Sequence, residues 1–187
     1  MKLKTHHKII ITTSVIAALL GFGGYGVHQY QYAQETNKIR QLIIGDFHLD
    51  SKTKTSGCEI SNDLPDRACT PGAIFFNATK DQVCASGYSK SVRNVPESEK
   101  NEVYAEYSIA SHSAGQYEVD HFISLELGGS NSIANLWPEA ALPEPGFHQK
   151  DEVENYLHDK LCNGQISLQE AQYLVSNKWL EVYKLIH

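Results

Sequence analysis

The residues able to do chemistry cluster between Tyr117 and Asp151, in the string YEVDHFISLELGGSNSIANLWPE and then GFHQKD from Gly146. Asp120 and His121 end a run that alternates like a strand, a Gly-Gly turn reverses the chain, and Asn135 returns alongside. His148 stands where the next helix begins. One carboxylate, two imidazoles and a carboxamide suit phosphodiester hydrolysis. In such a set a neutral His takes a proton from water while an Asn carbonyl holds its other ring N–H. A divalent metal held by Asp and His neutralises the phosphate and the developing alkoxide. Glu118 lies two residues before Asp120, on the same strand face, and reads more simply as a structural partner of Arg93 than as a metal ligand. His112, before the strand, is given no role.

The elements that must position these groups can be read coarsely. The pattern predicts a strand over 117–125, a turn over 127–131 and a short strand over 135–137 stopped by Pro138. A proline-rich loop follows, and then a helix from Gln149 to about Leu161, ended by Asn163-Gly164. Another helix starts at Pro96, with Glu97 and Glu99 in its first turn. Ser167 and Glu170 form a capping box opening one long last helix, whose Leu174, Val175, Trp179, Val182 and Tyr183 make an apolar stripe. Residues 57–96 are rich in turn formers and read as loops and brief strands.

The order Asp-His, Gly-Gly, Asn-Leu and a His at a helix start resembles the HNH nucleases, the ββα-metal or His-Me finger family. The segments around it, from Thr70 through GYSKSVRNV to the C-terminal helices, are similar to an exported bacterial or phage-borne subset of HNH-like proteins. The resemblance implies an α+β fold: a ββα-metal core in a helical, loop-rich domain, preceded by one N-terminal hydrophobic helix. It also implies His121 as general base, Asn135 as the residue orienting it, and Asp120 and His148 as metal ligands. Two protein ligands completed by water suit Mg²⁺ or Mn²⁺. The CxxC pairs that brace many HNH domains are absent, and Glu152 stands where a third ligand would lie one turn past His148.

Between Asn101 and Gln149 there are seven acids and no lysine or arginine. A polyanion held there needs positive charge from elsewhere, and Lys90 and Arg93 in GYSKSVRNV supply it. Arginine holds phosphate in a two-pronged contact; a structural ion pair is the competing reading of Arg93.

The N-terminus places the chain. Residues 1–8 carry Lys2, Lys4 and Lys8, and the nineteen residues from Ile9 to Val27 carry no charge. At about 1.5 Å per residue such a helix just spans a bilayer core, and the basic flank stays in the cytoplasm. Gly24 and Gly26 before Val27 make a poor cleavage site, so an uncleaved anchor is favoured over a signal peptide. The implied layout is a tail over 1–8, an anchor or signal peptide over 9–27, a polar stalk over 28–56, and a domain over 57–187. Residues 1–36 hold three lysines and one glutamate, leaving 13 basic and 21 acidic groups beyond them, a net of −8. That excludes a protein that merely coats DNA with positive charge. All four cysteines, Cys58, Cys69, Cys84 and Cys162, lie in the exported part and suggest two disulfides. Of three possible pairings we favour Cys58 with Cys69, across a turn-rich loop, and Cys84 with Cys162. Their spacing argues against zinc.

Three readings compete. The first is a metal-dependent endonuclease cutting DNA, or RNA, outside the cytoplasm, anchored at the membrane or secreted. The second is an HNH-like binding or structural protein of the cell envelope without catalysis. The third is another exported hydrolase, acting on cell-wall material. No protein partner is implied.

Overall fold

The computed structural model describes residues 25–187. The chain divides into two units at Arg40. In the first, α1 spans Tyr25–Arg40. Residues 9–24 of the expected membrane segment lie outside the described residues, and 25–27 form the first turn of α1. Among the described residues no helix is long and apolar enough to cross a membrane. The second unit, 41–187, takes in residues 41–56 of the expected spacer. There Lys52 bonds Glu106 (2.6 Å) and the Cys69 carbonyl (2.7 Å), and Lys54 pairs with Asp66 (2.8 Å).

That unit is α+β. Helices α2 (Lys80–Val83), α3 (Tyr88–Val92) and α4 (Glu97–Glu106) precede strand β1 (Tyr117–His121). Strand β2 (Leu136–Ala140) and helices α5 (Phe147–Cys162), α6 (Leu168–Asn177) and α7 (Trp179–Ile186) follow. The strands pair antiparallel, with Glu118 opposite Glu139, Asp120 opposite Trp137 and His121 opposite Leu136. Paired residues share a face, so Glu118, Asp120, Trp137 and Glu139 look one way, and Val119, His121, Leu136 and Pro138 the other. Val103 of α4 packs with Val119 and Leu136. Helix α5 covers the acidic face.

Three elements differ from the sequence expectation. The first strand ends at His121, not Leu125, because the Asn135 carboxamide takes both backbone groups of Ile123, at 2.9 Å each. Pro138 lies inside β2, opposite Val119; a two-stranded ribbon leaves each strand one free edge, where a missing N–H costs nothing. The last helix is two, because Lys178 (φ −142°, ψ 13°) leaves helical geometry between α6 and α7. The stripe survives the break: Leu174, Val175, Trp179 and Val182 are all buried. Ser167 and Glu170 do form the capping box.

The Gly-Gly turn is sterically required. Gly128 has φ +80°, and a Cβ on Gly129 would stand 1.7 Å from the Ile123 carbonyl oxygen. Both disulfides form as favoured, Cys58–Cys69 and Cys84–Cys162, with separations of 11 and 78 residues. The second fastens the end of α2 to the end of α5, and both fit an oxidising compartment. Loop-closure entropy gives about 4.5 kcal/mol for the long loop and about 3 for the short one. Replacing Cys84 and Cys162 together by alanine should therefore lower the midpoint of thermal unfolding more than replacing Cys58 and Cys69, as read by circular dichroism.

Candidate active site

Around the end of β1 the structure separates two sets of polar groups, one on each face of the strand. His121 is buried, 1% exposed. Its Nε2 lies 3.2 Å from Asn131 Oδ1. The orientation of that amide is fixed independently: Asn131 Nδ2 donates to the Val92 carbonyl (2.7 Å), and Oδ1 accepts from the Asn94 N–H (3.1 Å). Asn131 therefore presents an oxygen to the imidazole, and His121 carries its proton on Nε2. Nδ1 keeps its lone pair, and that buried atom has no hydrogen-bond partner. Burial, with Arg93 and Lys150 nearby, pushes the pKa of His121 down to about 4 against the opposing pull of Asp120 and Asn131. The ring is neutral at neutral pH.

The contact expected of Asn135 is thus made by Asn131. Asn135 is fully buried and bonds only to backbone: to both groups of Ile123, to the Ser130 carbonyl (2.9 Å) and to the Ala73 N–H (3.3 Å). It holds the loop over 122–135 in shape, and so carries Asn131 and His121 indirectly. The signal for Asn131 was in the sequence, an asparagine just after Gly-Gly-Ser, but the turn could equally account for it.

On the opposite face, Asp120 meets Lys150. The ammonium, completely buried, donates to Asp120 Oδ2 (2.5 Å), to the His121 carbonyl (3.0 Å) and to Glu154, with Glu139 at 3.7 Å. Burial alone would raise Asp120, but Lys150 overrides it and holds the carboxylate below its ordinary value. Burial opposes the charge of Lys150, yet Asp120, Glu154 and Glu139 together raise it well above the ordinary lysine value. Burial raises Glu139 well above the carboxylate range and lifts Glu154 to about 8. Within the cluster the Lys150 ammonium and the Asp120 carboxylate offset each other, while burial works against ionisation of Glu139 and Glu154.

The other expected residues lie outward. His148 is exposed, its ring 4.3 Å from that of Phe147. It stands two residues before Lys150 and has no hydrogen bond to Asp120. Lys90 and Arg93 are exposed at the end of α3. Arg93 lines two clefts: about 470 Å³ with Lys100, Tyr104 and Glu118, and about 160 Å³ with Ser89, Ser124 and Asp151. Burial and the Asp120 charge raise both Glu118 and Asp151, while Arg93 lowers both. Asp151, which the sequence reading passed over, belongs to this surface.

A divalent cation held by Asp120 and His148 does not fit this donor set. Asp120 Oδ2 already binds an ammonium, and the α5 side chains that reach the cluster are Lys150 and Glu154. Among the described residues, one group of three or more His, Cys, Asp or Glu brings its ligand atoms within 4.8 Å of one another: Cys84, His158 and Cys162. That group could hold a metal ion, but its two sulfurs are joined in a disulfide.

No family model, curated protein or solved structure matches the chain.

Two substitutions should separate the asparagines. Asn135→Ala leaves several buried backbone groups unpaired and should cost about 3 kcal/mol or more of stability in denaturant titration. Asn131→Ala should leave the fold largely intact while freeing the His121 ring. In the parent, NMR of the imidazole should show the Nε2–H tautomer and a midpoint near 4. Because this pKa is depressed, the associated stability is present above the unfolded value of about 6.5. It is lost as pH falls toward 4, by roughly 3 kcal/mol in all.

Proposed function

We propose that the chain is an exported phosphodiesterase of the His-Me finger type, hydrolysing nucleic acid, DNA foremost, with His121 as the general base. The observation that carries this reading is the unpartnered Nδ1 of a neutral, buried histidine whose tautomer is fixed by a second residue. A buried acceptor left unpaired costs about 1–3 kcal/mol, and a water approaching Nδ1 satisfies it. The imidazole takes the proton of that water as its oxygen attacks phosphorus; the bond to the leaving oxygen breaks, that oxygen takes a proton from solvent, and the imidazolium returns its own to solvent. The order β1, β2, α5, with a Gly-Gly loop between the strands, supports the ββα part of the reading.

The acidic surface needs a cation to bring a phosphate near, and Arg93, set between the two clefts, is suited to it, with Lys90 one turn away. Asn131 is the positioning residue, and Asn135 acts through the loop. The Mg²⁺ or Mn²⁺ implied by the resemblance is given no step, because Asp120 is already paired. That pairing is also the observation favouring the second reading, an HNH-like envelope protein that binds without cleaving. Export rests on the basic flank and apolar run of residues 1–27 together with the disulfides; anchoring through that run would put the membrane among the partners.

Nicking of supercoiled plasmid by purified protein tests the proposal. His121→Ala should lower the rate about 10²–10⁴-fold with the fold unchanged. A His121→Ala protein that nicks as fast as the parent, in a preparation free of contaminating nuclease, would leave the binding reading in its place. Arg93→Ala should weaken DNA binding and reduce its salt dependence by about one counterion; an unfolded Arg93→Ala protein would instead assign the guanidinium to structure.

A further inference from the structure

We infer that the cation position of this finger is filled by the chain itself: Lys150 stands where a divalent metal would bind Asp120, so Asp120 takes up no metal. The reasoning starts from the donor set. Asp120, Glu139 and Glu154 arrive from β1, β2 and α5 and face one ammonium, Glu139 from 3.7 Å. Carboxyl oxygens are the donors a hard divalent cation takes, but these three are spread around Lys150 and do not all come within 4.8 Å of one another. The ammonium is fully buried and bonded to two of the three carboxyls and to the His121 carbonyl. Lys150 and Glu154 are one helical turn apart, so a single turn of α5 supplies both the cation and one of its acceptors.

An ammonium and a divalent ion cannot share this volume. Displacing Lys150 would require a fully buried side chain to leave the core and give up its bonds to Asp120, Glu154 and the His121 carbonyl. Lys150 is here a positioning residue. Its bond to the His121 carbonyl fixes the end of β1, which in turn sets the ring against Asn131. A metal in that place would do the same by bridging strand and helix; the lysine does it without ion uptake and without dependence on ion supply. The phosphodiesterase reading enters only through the activity arm of the test.

Mn²⁺ titration of the full protein, followed by the electron paramagnetic resonance signal of free Mn²⁺, decides the matter. The parent should leave the signal undiminished at one equivalent. Lys150→Ala, which empties the centre of its three carboxyls, should remove about one equivalent. Stoichiometric uptake by the parent that Asp120→Asn abolishes would overturn the inference, as would a folded Lys150→Ala protein that takes up none. If Lys150→Ala does not fold, the parent and Asp120→Asn titrations still decide. Plasmid nicking by the parent should persist in EDTA. Nicking that requires Mn²⁺ through Asp120 would overturn the inference and keep the nuclease. Absence of both nicking and uptake would overturn the nuclease and keep the inference.

Discussion

The buried Lys150 ammonium is the constraint from which the site geometry follows. An unpaired charge of this kind costs several kcal/mol in a protein interior, and it is tolerated because Asp120, Glu154 and the His121 carbonyl surround it. Those partners come from both faces of the problem: a side chain on β1, a main-chain group on β1 and a neighbour one turn along α5. One interaction therefore sets the distance between strand and helix and the position of the strand end. Charge balance follows from the same contact, since the Asp120 carboxylate offsets the ammonium and burial works against ionisation of Glu139 and Glu154.

Two asparagines divide the rest of the work. Asn135 satisfies backbone groups that would otherwise prolong β1, and so ends the strand where His121 must stand. Asn131 reads the backbone on either side of Arg93 with one amide and the imidazole with the same oxygen. The ring tautomer is thereby tied to the loop that carries Arg93. His121 and Arg93 are positioned by one connected set of hydrogen bonds, although they lie in segments far apart in sequence.

Much of this was legible in the sequence. The α+β class, the strand pair, the helix after Gly146, the Ser167 capping box and the disulfide pairing followed from local patterns that tertiary packing did not override. What escaped depended on tertiary partners. A lysine two residues past His148 reads as a surface charge, because only the register of α5 against β1 turns it inward. The resemblance points to Asn135 as the imidazole's partner, but which amide faces the ring is decided by the backbone path of residues 92–94. Pro138 looked like a stop because sequence does not say which edge of a strand is free. Lys178 broke the last helix without any glycine or proline to mark the place.

The most direct test of the central role of Lys150 is a double-mutant cycle on stability with Lys150→Met and Asp120→Asn, measured by denaturant unfolding. If the ammonium and this carboxylate depend on each other as the geometry requires, each single change strands a buried group and costs about 3–5 kcal/mol. The double change should then cost less than the sum of the two by about 2–3 kcal/mol. Additive losses would contradict the account, because they would mean that Lys150 and Asp120 do not hold each other and that strand and helix are set by packing alone.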